Sequence, residues 1–283
     1  VDVNVFDPTD TKNFRRDIQF MTVDRLNNLT SFKFNWSLYF EEVLNGTNVS
    51  VASDTKLMII LPDSIKKVVN WLTDQPKGLL ANEIMWNVVR GFIDTLPEAF
   101  GEAQEKYIES IINRRRAIPR WKTCNRLANK YFEYVTTLLY VNAHLPEDAT
   151  ETAAEMFKEI KDQFIDGLEE QHWMDNTTRA NARLKLKKMR EWIGFPPFIK
   201  DAAKLNKFYK DIQVNELLLL QNTLHGIKDK FLKKVNEIEK PSNNSRFLLP
   251  PLTVNAFYNP YANGMTILAG ILQPPFYKSD RLQ

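Results

Sequence analysis

The sequence predicts a mainly α protein ending in a β-hairpin, and three observations carry this. Apolar residues recur at three- and four-residue steps through most of the stretch from Ser64 to Glu239, the spacing of one helix face. The texture changes at Pro241-Ser242-Asn243-Asn244, a loop signal, and two strand-like runs follow, Leu252–Tyr258 and Met265–Ala269. Six Trp, nine Tyr and eighteen Phe in 283 residues are enough to fill a sizeable core. At roughly 100–200 residues per domain, this length makes one large domain or two.

In chain order, residues 1–20 are polar without a clear period and are left mostly unassigned. Trp36–Leu44 fits a short helix, and Lys56–Leu61, apolar and closed by Pro62, reads as a short buried strand. Helices are expected over Ser64–Thr73, Leu79–Leu96, Glu102–Arg116, Trp121–Val141 and Glu151–Glu170. Asp175 is placed as N-cap of a helix with Ala182, Leu186, Met189 and Ile193 on one stripe, stopped by Gly194 and Pro196-Pro197. One or two more helices fill Val214–Glu239. Such stripes are read as surfaces that pack on one another. In the tail, Asn259-Pro260 and Asn263-Gly264 favour a turn between the two strands.

Several function classes are unsupported. The charge balance of 38 basic against 35 acidic residues gives neither a nucleic-acid nor a membrane-surface signature. The basic runs Arg114-Arg115-Arg116 with Arg120 and Lys122, and Lys185 to Arg190, lie among acidic residues and are read as solvated helix faces. Nine glycines form no phosphate-cradling motif. His144, His172 and His225 are too far apart in sequence for one helix face to present two imidazoles to a metal, and are read as surface or packing residues. Neither a membrane-spanning apolar run nor a signal peptide is visible, so any targeting element is expected outside this stretch.

The compartment is legible from modification signals. N-x-Ser/Thr sequons begin at Asn28, Asn35, Asn45, Asn48, Asn176 and Asn243. Six in 283 residues, four of them between Asn28 and Ser50, point to a glycosylated, extracellular or lumenal protein. Cys124 is the single cysteine. In an oxidising compartment an odd cysteine implies a partner elsewhere, the alternative being a buried free thiol.

The hairpin carries the functional signal. Alternation puts Val254, Ala256 and Tyr258 on one face and Asn255 and Phe257 on the other. An exposed strand can take an extended peptide as a further strand, and a carboxamide such as that of Asn255 both donates to and accepts from a peptide backbone. An Asn in a strand can equally mark an edge or a bulge.

VNAFY at Val254–Tyr258 and AGILQPPF at Ala269–Phe276 closely resemble the substrate-binding strand of the neprilysin and endothelin-converting-enzyme family of zinc metalloendopeptidases. WMDNTTRANARLKLKKMREWIGFP (Trp173–Pro196), RWKTCNRLANKYFEYVTTLLYV (Arg120–Val141) and MTVDRLNNL (Met21–Leu29) are similar to the same family, in the same order. The resemblance runs from about Arg16 to Phe276. It implies the helical lobe of a two-lobed metallopeptidase ectodomain, ending in a β-hairpin of the thermolysin-like catalytic lobe. Residues 1–240 would then contribute to a chamber, and residues 241–283 would begin the catalytic lobe. The implied activity is a secreted or membrane-anchored zinc enzyme cleaving peptides on the N-terminal side of hydrophobic residues. Any membrane anchor would lie outside this chain.

Carried over by residue, Asn255 would bond the substrate backbone beside the scissile bond, with Ala256 pairing as edge strand. Ile271 and Phe276 would help line the pocket for the residue after the cut. Cys124 sits where the family has a cysteine bonded to one far upstream, so its partner is expected outside this chain. The family's H-E-x-x-H motif follows the I-L-Q-P-P-F segment by a few dozen residues, and no zinc ligand or catalytic residue is assigned within residues 1–283. The partners expected are peptide substrates and the remaining segments of the same enzyme. The alternative is a catalytically inactive homologue acting as a peptide-binding or structural protein.

In the complete protein, Cys124 is expected to be cross-linked to a cysteine outside residues 1–283. Peptide mapping under non-reducing conditions checks this, and recovery of a free Cys124 thiol would count against both the compartment and the pairing.

Overall fold

The computed structural model describes residues 18–112, 118–238, 240 and 247–278. The run Arg114-Arg115-Arg116, the Pro241–Asn244 loop and the Asn243 sequon lie outside the described residues, as does the unassigned stretch before Ile18. The described residues form eleven α-helices and five strands. The chain divides into two compact units, one of Val1–Arg115 with Lys230–Pro241, the other of Arg116–Asp229 with Ser242–Gln283.

In the first unit β1 (Ile18–Thr22) pairs antiparallel with β2 (Lys56–Ile60), Met21 opposite Leu57. α1 (Val23–Leu29) follows β1 directly, capped by the Thr22 hydroxyl, which accepts from the Arg25 N–H at 3.2 Å. Met21, Leu26 and Ile59 form the buried centre, with Leu29, Trp36, Leu57 and Ile65 packed around it. The strand expected to be buried at Lys56–Leu61 is covered on one face only. Its outer face shows Met58 and Ile60, beside Phe20 of β1. The physical reason is period two: a two-stranded ribbon with one packed face leaves every second residue outside.

α2 (Trp36–Leu44) matches its expected bounds and is capped by Asn35, whose Oδ1 accepts from the Leu38 N–H at 3.0 Å. α3 (Pro62–Thr73) begins two residues earlier than expected, with Pro62 in its first turn, where a missing N–H costs no intrahelical bond. α4 (Lys77–Phe92) and α5 (Glu98–Ile112) bury none of their residues. Their expected mutual packing is not found: Ile84, Met85, Trp86, Tyr107 and Ile111 are all exposed. A helix that is apolar on several sides needs neighbours on each of them, and the described residues do not supply these.

In the second unit, the single helix expected over Trp121–Val141 is two, α6 (Arg120–Tyr131) and α7 (Glu133–His144), broken at Phe132. The break has a tertiary cause. The Tyr134 N–H, in the first turn of α7, donates to the Tyr209 hydroxyl at 3.0 Å. Around it Phe132 packs on Tyr209, and Tyr134 packs edge-on against Phe198 and Phe208. Burial pushes the Tyr209 phenol well above its ordinary pKa, so it stays a neutral hydroxyl.

α8 (Ala149–Gly167) runs into a short 3-10 turn at Leu168–Glu170. α9 (Asn176–Lys187) is capped by Asp175 as expected, its Oδ1 accepting from the Thr178 N–H at 2.6 Å. That hydrogen bond also holds the Asp175 carboxyl below the usual aspartate range. Arg179 secures the turn before α9, donating to the carbonyls of Leu168 (2.9 Å), Gln171 and Met174 (both 3.2 Å). The stripe expected to continue through Met189 and Ile193 is corrected: the helix stops at Lys187, and Arg190–Gly194 is strand β3. Tertiary pairing wins here, because β3 finds a parallel partner in a strand about seventy residues on. α10 (Ala202–Phe208) and α11 (Leu219–Val235) complete the helices.

The three-stranded sheet has the order β3-β5-β4, with β4 (Ala256–Asn259) and β5 (Gly264–Leu268) forming the expected hairpin. β5 runs parallel to β3 and antiparallel to β4. Ala149 and Ala153 of α8 pack on Leu272, with Leu145, Ile193, Ile267 and Tyr277 around them. Gly194 has φ +80, and a Cβ there would strike the Thr150 side chain, so α8 seats closely on the end of β3. Gly270 lies so close to the Leu252 and Thr253 carbonyls that a Cβ has no room.

Gly270→Ala is therefore expected to lower stability by on the order of 1–3 kcal/mol, the cost of overpacking against backbone. Gly101→Ala in α5, where a Cβ meets nothing within 4 Å, is expected to raise it by up to about 1 kcal/mol through helix propensity. Thermal unfolding of both variants checks the pair, and a Gly270→Ala protein as stable as wild type would contradict the close approach.

Candidate functional site

The hairpin turn is built by its two asparagines. Asn259 Oδ1 accepts from the Tyr261 N–H at 3.0 Å, and Asn263 takes the left-handed conformation at φ +46, which Asn tolerates better than most residues. β4 starts four residues later than the run at Leu252 predicts, because Pro250–Val254 is spent on turns. The Thr253 N–H donates to Pro250 and the Gly270 N–H to Pro251, both at 2.9 Å. These bonds clamp the 3-10 turn Ala269–Ile271 beneath the approach to β4.

Leu268 N–H donates to the Asn255 carbonyl at 3.3 Å, which extends the ladder one residue before β4. In an antiparallel ladder residues alternate between facing the partner and facing away. With Asn255 bonded to β5, Phe257 and Asn259 also face β5, and the N–H and C=O groups of Ala256 and Tyr258 point outward. β4 is the edge of the sheet among the described residues. Its outward donors and acceptors are two residues apart, which is the repeat of an extended chain. Beside them, the Asn255 side chain is exposed and its carboxamide bonds no other described residue.

The structure therefore brings Asn255 and Ala256 to one open strand edge. Ile271 is half-buried in the turn clamped to the segment leading into β4, three residues beyond Leu268. Phe276 follows in a further turn, its N–H donating to the Gln273 carbonyl, and the residue is 63% exposed. Sequence reasoning did not find the side chains that hold the hairpin down. Asn263 Nδ2 donates to the Lys185 carbonyl of α9 at 2.8 Å, and Tyr258 donates to Asn263 Oδ1 at 3.0 Å. Asn263-Gly264 was legible as a turn, but its tie to α9 spans 78 residues and has no local signal.

Elsewhere, Asn28, Asn35, Asn45, Asn48 and Asn176 are all exposed. Cys124 lies exposed on α6. His144 packs on Tyr140, and the His225 ring contacts the Gln213 carbonyl through Nδ1 at 2.9 Å. Among the described residues no three of His, Cys, Asp and Glu come together to hold a metal ion, and no helix is long and apolar enough to cross a membrane.

Residues 3–196 match the profile of Peptidase family M13. The chain belongs to this family. Within 244–252 aligned residues it is 30% identical to mouse endothelin-converting enzyme 1 and 27% identical to mouse membrane metallo-endopeptidase-like 1. These alignments cover 86% and 88% of this chain but only 32% and 33% of the two relatives, so the chain spans about a third of their length. Among solved structures, the zinc metalloprotease Zmp1 of Mycobacterium tuberculosis, in complex with an inhibitor, superposes with a TM-score of 0.81 at 21% identity. That match covers 97% of this chain and 40% of Zmp1. PepO from Lactobacillus rhamnosis gives 0.69 at 20% identity, covering 93% of this chain and 40% of its own. At these identities the likeness shows the fold, mainly helical with a small sheet. The profile ends at Pro196, at the close of the Trp173–Pro196 motif. The hairpin lies beyond it.

Proposed function

We propose that this chain is part of an M13 zinc metalloendopeptidase and that the outer edge of β4 takes the substrate peptide as an added antiparallel or parallel strand. The single observation that carries this reading is the open edge itself: outward main-chain groups at Ala256 and Tyr258, with the Asn255 carboxamide, which bonds no other described residue, beside them. Main-chain pairing holds a peptide whatever its side chains, each hydrogen bond contributing about 0.5–1.5 kcal/mol net. Asn255 adds a donor and an acceptor next to the bond to be cut. Ile271 and Phe276 form part of the pocket wall for the hydrophobic residue that follows the cut, the exposed Phe276 ring being free to meet a substrate side chain. Residues 1–240 contribute to the chamber and residues 241–283 begin the catalytic lobe.

The described residues do not fit a zinc site, so the metal in this reading is held by parts of the protein outside them, and no chemical step is assigned to this chain. Zinc in such an enzyme polarises the scissile carbonyl and activates a water; this chain's part is to hold the peptide extended. The exposed sequons and the exposed Cys124 support an extracellular or lumenal glycoprotein, with glycans on some of those asparagines and a disulfide from Cys124. The names of two relatives, mouse endothelin-converting enzyme 1 and mouse membrane metallo-endopeptidase-like 1, support peptides as the substrate class here.

In the complete enzyme, Asn255→Ala is expected to lower kcat/KM about threefold to tenfold, by a similar factor for peptides of different sequence. The melting temperature should not change. Unchanged kinetics with reduced stability would instead assign Asn255 to finishing the strand. Phe276→Ala is expected to alter the preference among hydrophobic residues after the cut, because it changes pocket volume. A set of peptides varied only at that position reads this out, and an unaltered ranking would remove Phe276 from the pocket.

A further inference from the structure

We infer that Asn263 is a positioning residue for substrate binding: it fixes the outer edge of β4 by tying the hairpin to the end of α9. The inference rests on the reading of β4 as the peptide-binding edge. An edge strand joined to its sheet on one side can shift or twist away at the turn end, where only Asn259 and Gly264 remain paired. Asn263 closes that end from three directions. Its Nδ2 donates to the Lys185 carbonyl, one of the last carbonyls of α9, which lack a partner within the helix. Its Oδ1 accepts from the Tyr258 hydroxyl, and Tyr258 is one of the two residues whose main chain faces outward. Its own carbonyl accepts from the Arg190 N–H at 2.9 Å, at the start of β3.

Lys185 completes the arrangement by setting its Nζ 5.8 Å from the centre of the Tyr258 ring, so the ring is held by its hydroxyl and its face together. The Tyr258 side chain therefore cannot swing without breaking a bond to Asn263, and its main-chain groups keep their direction. Asn is also suited to the backbone: at φ +46 most other side chains are strained, whereas glycine is free of that strain and lacks the carboxamide. Asn263→Gly thus removes the ties and leaves the turn conformation available.

The test measures kcat/KM on the full-length enzyme, well below every melting temperature, with a peptide substrate and with the same peptide N-methylated at the amide that pairs with the Tyr258 carbonyl, which removes that pairing. Asn263→Gly is expected to lower kcat/KM about threefold to tenfold for the first peptide, and to change it little for the second, whose pairing is already lost. A residue that merely supports the fold would act equally on both peptides, so an equal loss overturns the inference, as does wild-type kinetics for Asn263→Gly. Tyr258→Phe, which removes one hydroxyl and no backbone, is the second variant should Asn263→Gly fail to fold. It should show the same dependence on the peptide at smaller size, and an equal loss on both peptides overturns the inference equally. A normal Asn255→Ala enzyme would sink the edge-strand reading, and this inference with it. An impaired Asn255→Ala enzyme beside a normal Asn263→Gly enzyme sinks this inference alone.

Discussion

β5 pairs on both sides, with β3 parallel along one edge and β4 antiparallel along the other, and the site depends on that double pairing. Because β5 has no edge left, β4 is pushed to the outside and its alternate main-chain groups have no partner in the sheet. The ladder phase follows from one hydrogen bond, from the Leu268 N–H to the Asn255 carbonyl. Shifted by one residue, the ladder would turn Ala256 inward and bring Asn255's main chain to the edge. The geometry of the proposed recognition is thus set by register rather than by the chemistry of any one side chain.

Register in turn is anchored from outside the hairpin. The close seat of α8 on the end of β3 at Gly194, and of Gly270 against Leu252 and Thr253, fix the far end of the sheet. Asn263, Tyr258 and Lys185 fix the near end. The first unit packs on a small core of Met21, Leu26 and Ile59, and its α4 and α5 carry exposed Ile84, Trp86, Tyr107 and Ile111.

Much of this was legible in sequence, and the exceptions have a common cause. The hairpin could be read because its information is local: alternation in the strands and two Asn-containing steps in the turn. Asp175 could be read as a cap for the same reason, since its partner is three residues away. What could not be read depends on residues far apart. Phe132 ends α6 because Tyr209, 75 residues beyond Tyr134, supplies a hydroxyl to α7. Met189 and Ile193 have helical spacing, yet Arg190–Gly194 becomes a strand because β5 offers it a ladder. The roles proposed for Asn255, Ala256, Ile271 and Phe276 rest on the resemblance of two motifs, since an asparagine before a strand carries no such meaning by itself.

The most direct test is amide hydrogen exchange across β4 in the full-length enzyme, with and without a tightly bound peptide-like inhibitor. The outward N–H groups of Ala256 and Tyr258 should exchange quickly in the free enzyme and become protected when the inhibitor pairs with the edge. The inward Phe257 N–H, already bonded to β5, should change much less. Protection that leaves Ala256 and Tyr258 unchanged on inhibitor binding would contradict the assignment of β4 as the strand that receives the peptide.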